Sequence, residues 1–191
     1  MSSHLPSCAV DCITKQGTVL TAFVEDGHAC HDTADSYTCA LGKCRPADFK
    51  VEEDLNNVEI NIKTAFVADR DPYPTQGESD AFVMVEVVSG GEPSFRDGEV
   101  ICYTHVVQDN KRPVWNFSCK PLPLKSSTKL RFVVLDSDKP DTDPQLLGTA
   151  VRTLDSLMNS GKKTLQLEQQ KLSGGPYWLE VQVSGKKYGS K

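Results

Sequence analysis

The placement of cysteine constrains this chain more than any other feature of its sequence. Five of the seven cysteines lie within the first 44 of 191 residues, and only Cys102 and Cys119 lie beyond them. A segment this short cannot bury enough apolar surface to fold alone, so its cysteine density predicts a disulfide-held module. Disulfides persist in oxidising compartments, and we therefore expect a secreted, extracellular protein. Because the count is odd, one thiol is free, pairs between chains, or has lost its partner.

The composition of the chain changes near residue 45. We expect a cysteine-rich module at 1–46, a polar linker at 47–56, a β-domain at 57–184 and a tail at 185–191. Short segments rich in Val, Ile, Phe and Tyr follow the linker and are separated by turn residues, which is typical of an all-β protein. They predict an eight-stranded antiparallel sandwich, with one turn of helix at 153–159. The eight segments are Val58–Ile62, Ala81–Val88, Val100–Val107, Val114–Cys119, Lys129–Leu135, Leu146–Val151, Thr164–Leu167 and Tyr177–Val183.

Composition and motifs exclude several classes of function. The chain has 21 Lys and Arg against 26 Asp and Glu, a net charge of −5, so we expect no nucleic-acid partner. The longest nearly apolar run, Ala81–Val88, is far shorter than the roughly 20 residues of a membrane span. The first residues resemble no signal peptide, which predicts that a signal was removed or that the chain is a fragment. No H-E-x-x-H, G-x-S-x-G or phosphate-loop pattern occurs, so we do not expect an enzyme.

Two connections between predicted strands are unusually acidic, at 69–80 and at 136–143. Calcium takes six to eight oxygen ligands, mostly from carboxylates and carbonyls. Loops that meet at one end of a sandwich would crowd four or five carboxylates, which is costly unless a cation lies among them. The alternative is that aspartate favours turns, because its side chain bonds nearby backbone. The D-x-D pattern after an apolar strand, with a second aspartate cluster elsewhere, favours calcium.

Four ordered motifs then identify a family resemblance. They are Ser79–Val83 (SDAFV), Asn110–Asn116 (NKRPVWN), Leu135–Asp138 (LDSD) and Leu146–Ala150 (LLGTA). In this order they resemble the motifs of a C2 domain, a calcium- and lipid-binding β-sandwich, across residues 57–184. The spacing is similar to that of the C2 domain that ends pore-forming perforins. The lone first strand and the last strand suggest the phospholipase-type strand order.

The C2 resemblance implies a calcium site and a membrane surface. Asp80, Asp136 and Asp138 match family ligands directly, whereas the other loop positions are displaced. The implied ligands are Asp71, Asp80, Asp136, Asp138 and Asp143, with Asp69 and Asp141 as additional candidates. Through calcium the family binds anionic phospholipid peripherally, and with so few apolar loop tips we expect this binding to be salt-sensitive. The expected membrane contacts are Tyr73, Lys111, Arg112, Lys139 and Pro140.

The N-terminal module has its own resemblance. Its pieces CAVDC, EDGHAC and CALGKC resemble the cysteine-rich module of secreted metalloproteinases of the reprolysin and thrombospondin-motif type, and modules of tick salivary proteins. That resemblance implies the pairs Cys8–Cys39 and Cys30–Cys44, with Cys12 left unpaired. In the β-domain, Cys102 and Cys119 flank the turn at 108–112, so we expect a disulfide between neighbouring strands.

Three alternatives stay open at this point. The protein could act without calcium, as a secreted effector or inhibitor whose cysteine-rich head recognises a protein partner. It could also be a non-catalytic fragment of a larger secreted protease or pore-former. A zinc site in the head would use His28, Cys30, His31, Cys39 and Cys44, although their spacing fits no usual finger.

Asn116-Phe117-Ser118 is a glycosylation sequon, for which we favour a structural role of the asparagine.

Overall fold

The computed structural model of the chain describes residues 8–13, 19–24, 26–30, 37–41, 43–50, 55–69, 78–91, 95, 97–137, 143–168 and 175–187. The chain divides into two compact units, Met1–Glu52 and Glu53–Lys191. Among these described residues, no helix has the length and apolar character needed to cross a membrane.

The N-terminal unit consists of two antiparallel hairpins. Strand β1 (Ala9–Ile13) pairs with β2 (Val19–Phe23), and β3 (Tyr37–Ala40) pairs with β4 (Lys43–Pro46). Its small core consists of Cys8, Cys30 and Cys39, with Val24 and Cys44 packed against them. The disulfides are Cys8–Cys39 and Cys30–Cys44, which are the two pairs that the resemblance of this module implied. Cys12 lies on β1 opposite Leu20, and the state of its thiol stays a prediction.

The second unit is a sandwich of two antiparallel sheets, as predicted. Its elements are β5 (Leu55–Phe66), β6 (Ala81–Ser89), β7 (Val100–Tyr103), β8 (Val114–Ser118), β9 (Leu122–Lys125), β10 (Lys129–Asp136), β11 (Gln145–Thr153), α1 (Leu154–Met158), β12 (Lys162–Gln166) and β13 (Trp178–Lys187). One sheet has the strand order β11-β10-β6-β7, and the other has the order β12-β13-β5-β8, with β9 also paired to β5. The last strand of the unit, β13, therefore lies beside its first strand, β5.

The core of the sandwich follows the alternation of its strands. Side chains of successive residues in a strand point to opposite faces, so every second residue faces the other sheet. The inward residues of the central strands are completely buried: Ile60, Ile62, Val83, Val85, Phe132, Val134, Leu179 and Val181. The alternation seen in the sequence thus identifies the core face of each of these strands.

The strand count corrects the prediction of eight. The described part of the second unit contains nine strands: eight correspond to the expected segments, and β9 is an additional strand between the fourth and the fifth of them. Strand β9 pairs with Leu55–Val58 and β8 pairs with 61–64, so the two lie end to end along β5. Pro121 interrupts them, since proline has no N–H to donate to a sheet. The sequence does not predict β9, because Pro121 and Pro123 favour a turn there.

Two predicted boundaries also need correction. Strand β5 begins at Leu55, within the expected linker 47–56, and β13 continues to Lys187, within the expected tail 185–191. These ends support one another, because Gly185 and Lys187 pair with Val58 and Asn56. The polar residues there are in strands through backbone pairing, which an alternation of apolar side chains does not reveal.

The third disulfide, Cys102–Cys119, joins the two sheets. Cys102 lies on β7 at the edge of one sheet, and Cys119 directly follows β8 at the edge of the other. Both residues belong to the buried core. The pair was expected, but its placement between neighbouring strands was wrong: the bond closes the side of the sandwich.

Candidate metal centre

Three loops meet at one end of the sandwich. Loop 1 (67–80) joins β5 to β6, loop 2 (104–113) joins β7 to β8, and loop 3 (137–144) joins β10 to β11. Strands β7 and β10 both run antiparallel to β6, so their ends lie beside its beginning. The topology therefore brings the described ends of the two acidic segments, 78–80 and 136–137, to the same place.

Asp136 is the best-defined carboxylate at this end. It is the last residue of β10 and pairs with Ala81, the first residue of β6. Its side chain is completely buried, and its Oδ1 accepts a hydrogen bond of 2.7 Å from the backbone N–H of Asp80. The N–H of Ser137 donates in return to the carbonyl of Asp80 at 3.0 Å. Burying a carboxylate is costly without compensating contacts, and the bond from Asp80 supplies one to Asp136. The two bonds also hold loops 1 and 3 together.

Asp80 also connects loop 1 to loop 2. Its Oδ1 accepts a hydrogen bond of 2.8 Å from the N–H of Asp109, whose φ of +50° is one that aspartate tolerates better than most residues. Next to it, the N–H of Asn110 donates to the carbonyl of Ser79 at 3.2 Å. Ser79 is completely buried and donates its hydroxyl to the carbonyl of Ala68. Asp80, in loop 1, is therefore held in place by hydrogen bonds from loops 2 and 3 and from the end of β10.

Lys111 supplies a cation to the same end of the molecule. Its Nζ lies 2.9 Å from Oδ2 of Asp69 and 3.6 Å from Oε1 of Glu78. Its backbone N–H donates to Oε2 of Glu78 at 2.9 Å. The hydrogen bond to Asp69 is the largest cause that raises the pKa of Lys111 above its ordinary value. A membrane contact by Lys111 would have to compete with these two ion pairs.

The remaining predicted residues are placed as follows. Arg112 is exposed, with its guanidinium carbon 5.2 Å from the centre of the Phe66 ring. Asp143 is exposed and lies two residues before β11. The structure thus brings together Asp80 and Asp136, and places Asp69 with Lys111. The predicted residues outside the described part of the chain are Asp71, Tyr73, Asp138, Lys139, Pro140 and Asp141.

Glu78 and Asp109 were missed by the sequence analysis. Glu78 is two residues before Asp80, and in extended chain residues two apart point to the same side. This spacing could have indicated that Glu78 lies at the same end of the sandwich as Asp80. Asp109 begins the D-N pair of loop 2, a typical turn signal that identifies the bend but not its contact with Asp80.

The cysteines of the N-terminal unit do not form the alternative zinc site. The sulfur atoms of Cys8, Cys30 and Cys39 lie close together, with Cys8 and Cys30 3.8 Å apart. This proximity follows from two adjacent disulfides, which also engage Cys44. Zinc binds thiolates, and a disulfide sulfur carries no such charge.

The fold is an antiparallel sandwich whose loops gather carboxylates at one end. The chain belongs to the C2 domain family, whose family model matches residues 56–169. This match runs from β5 past β12 and stops before β13, which lies between those two strands in the sheet. No curated protein sequence matches the chain.

Solved structures support the fold. A C2 domain of plant extended synaptotagmin 1, its domain A, is 21% identical, with a TM-score of 0.56, and the match covers 74% of this chain and 100% of that one. Human GIVD cytosolic phospholipase A2 is 14% identical, with a TM-score of 0.56, covering 73% of this chain and 17% of that one. The calcium-bound pair of C2 domains of extended synaptotagmin 2 is 18% identical, with a TM-score of 0.50, covering 73% and 48%. At such identities the likeness shows the fold alone.

Proposed function

We propose that this protein binds calcium through loops 1 and 3 of its C2 unit and thereby attaches peripherally to anionic phospholipid membranes. One observation carries the proposal: Asp80 of loop 1 and Asp136 at the end of β10 are held in contact at the end of the sandwich. Carboxylate oxygens are the ligands that calcium takes, so these two side chains are of the right chemical type for the ion. A solved relative with bound calcium, extended synaptotagmin 2, has the same fold.

In this proposal, one set of residues binds the ion and a different set contacts the membrane. Asp80 and Asp136 form the base of the site, and the ligand set is completed by Asp71, Asp138 and Asp143, with Asp69 and Asp141 as additional candidates. Bound calcium supplies positive charge that attracts lipid phosphate to an otherwise acidic surface. Arg112, Lys139, Tyr73 and Pro140 are the membrane contacts in this proposal. With so few apolar tips, the binding is mainly electrostatic and weakens as salt is added.

We further propose that the protein is extracellular and acts by binding rather than catalysis. Three disulfides support an oxidising compartment. In this view the cysteine-rich head adds a contact to a protein partner, and the C2 unit provides the membrane attachment.

The decisive experiment is calorimetric titration of calcium into chelator-treated protein. We expect binding heat from the wild type and none from the double variant Asp136→Asn/Asp138→Asn. The control is Asp155→Asn, which removes an exposed carboxylate on α1. Circular dichroism establishes that the variants are folded, since Asp136 is buried. Folded wild type that gives no heat up to millimolar calcium would overturn the proposal.

Vesicle co-sedimentation tests the membrane step separately. The probes are phosphatidylcholine vesicles with and without phosphatidylserine, in calcium or in chelator. We expect binding only with calcium and phosphatidylserine together, and weaker binding at higher salt. Binding that is unchanged in chelator would contradict the calcium step.

A second candidate function is calcium-independent protein binding, and the position of Lys111 favours it. The ammonium lies between Asp69 and Glu78 and already compensates part of the acidic charge of loop 1. A loop end that is partly neutralised by its own lysine has less need of a metal ion. Absence of calcium binding in the titration, with an intact fold, would support this candidate.

A further inference from the structure

We propose that Asn116 carries an N-linked glycan in the secreted protein. Asn116-Phe117-Ser118 matches the acceptor pattern N-x-S, and no other asparagine of the sequence is followed two residues later by Ser or Thr. The inference is independent of calcium and lipid, and shares only the secretory route with the proposed function. Any N-glycan on this chain must therefore lie at Asn116.

The position of Asn116 in the fold leaves room for a glycan. It lies on β8, the edge strand of its sheet, and its side chain is exposed, while Trp115 beside it is 5% exposed and packs in the core. The outer surface here is polar: Ser118 of the sequon donates its hydroxyl to Glu59 on β5 at 2.6 Å. A glycan is bulky and solvated, and needs an acceptor whose side chain leaves the protein surface.

The backbone at Asn116 explains why asparagine is suited to the site structurally, but not why the whole sequon is present. Asn116 has a φ of +44° at a register shift between β5 and β8. Asparagine adopts such left-handed conformations more readily than most residues, although glycine does so at still lower cost. A bulge does not require an exposed carboxamide, or a serine two residues further on. Both are required for glycosylation.

A glycan would also protect the edge of the sheet. Edge strands present unpaired N–H and C=O groups, and proteins commonly block them with charge, bulges or covering segments. Near Asn116, Val114 is 56% exposed, although it is apolar. A solvated oligosaccharide on Asn116, two residues after Val114, would hinder edge-to-edge pairing of β8 with a second chain.

The modification transfers an oligosaccharide from a lipid carrier to the side chain of Asn116. The donor is an oligosaccharide linked to a lipid pyrophosphate in the membrane of the secretory compartment. The bond between C1 of the first sugar and the pyrophosphate oxygen breaks, and a bond forms between C1 and Nδ2 of Asn116. The carboxamide nitrogen loses one proton, and the lipid pyrophosphate leaves. No oxidation or reduction takes place.

The test is expression of the full chain behind a secretion signal in eukaryotic cells. Intact mass is measured before and after treatment with peptide N-glycosidase, which removes the glycan and converts the acceptor to aspartate. We expect the wild type to lose the mass of one oligosaccharide. Ser118→Ala and Asn116→Gly should be secreted without that mass, whereas Ser118→Thr should retain it.

The controls separate this proposal from the proposed function. Formation of the Cys102–Cys119 disulfide, read by mass with and without reduction, establishes that a chain has entered the oxidising lumen. Wild-type chain that is oxidised but unglycosylated overturns the proposal, as does sugar that persists in Ser118→Ala. Calcium binding is measured on unglycosylated protein, so either proposal can fail alone.

Discussion

At the scale of single residues, the candidate site depends on side chains that act on the backbone. Asp136 accepts the N–H of Asp80, and Asp80 accepts the N–H of Asp109, so one chain of contacts orders three loops. The sequence motifs predicted Asp80 and Asp136 as ligands. They did not predict that each would also hold a neighbouring loop, because such contacts depend on which loops meet in space.

Replacing Lys111 tests whether it competes with a metal ion. Lys111→Met removes the ammonium beside Asp69 and Glu78, so we expect calcium affinity to rise roughly two- to fivefold, the modest effect typical of an exposed charge. The measurement is calorimetric titration. Lys162→Met is the matched control, because it breaks a 2.8 Å ion pair with Glu180 on strands β12 and β13. Equal affinities in all three proteins would show that Lys111 does not compete.

The pKa of Lys111 predicts how this competition varies with pH. Contact with Asp69 raises that pKa above the ordinary value of 10.5, so the ammonium stays charged at neutral pH. Its ion pairs contribute fully below the pKa of the unfolded chain and are lost as the pH rises through the higher folded pKa. We expect the affinity difference between wild type and Lys111→Met to be constant from about pH 7 to about pH 9. A steep change within that interval, seen by titration, would contradict this assignment.

The left-handed backbone of Asn116 gives a stability prediction on unglycosylated protein. Asn116→Gly should leave the free energy of unfolding nearly unchanged, because glycine adopts a positive φ without strain. Asn116→Val should lower it by about 1–3 kcal/mol, because a β-branched residue is strained there. Urea denaturation measures both variants. Equal stability of the Gly and Val variants would show that the bulge relaxes.

At the scale of elements, alternation predicted the core strands well and their ends poorly. Ile60 and Ile62 are buried as their pattern indicated, but Leu55–Asn57 and Gly185–Lys187 are in strands because they pair with other strands. Hydrophobic alternation reports which face is buried. It does not report where backbone hydrogen bonding stops, since polar residues pair equally well at an edge.

The Cys102–Cys119 bond is the element whose effect is simplest to measure. Its cysteines are 17 residues apart in the chain and join the two sheets. Closing a loop of this length lowers the entropy of the unfolded chain, which stabilises the folded protein by about 3 kcal/mol. Cys102→Ala/Cys119→Ala should lower the free energy of unfolding by that amount, measured by denaturant titration. A cost near zero would mean that core packing alone holds these edges together.

At the scale of the whole molecule, the two units are stabilised in different ways. The N-terminal unit has a core of Cys8, Cys30 and Cys39, whereas the C2 unit has two sheets of buried aliphatic residues. Small cores depend on covalent links, and large ones do not. The distribution of cysteine along the chain predicted this division.

Removing one disulfide of the N-terminal unit should therefore abolish the fold of that unit and leave calcium binding by the C2 unit intact. We expect Cys8→Ser/Cys39→Ser to lose the fold of 1–52, seen as rapid proteolysis there. Calcium affinity should stay within about twofold, because every proposed ligand lies in the C2 unit; titration measures it. Loss of calcium binding in this variant would show that the site depends on the head.

Local sequence patterns were enough to predict the class of the second unit's fold, the buried face of its central strands and the two acidic segments, because alternation and turn chemistry are local properties. The tertiary structure was needed to show that β8 and β9 lie end to end along β5, that Cys102 and Cys119 join opposite sheets, and that Lys111 pairs with Asp69 and Glu78. Each of these depends on which distant segments become neighbours. Pairing across sheets and between loops has no fixed spacing along the chain, so no local pattern predicts it.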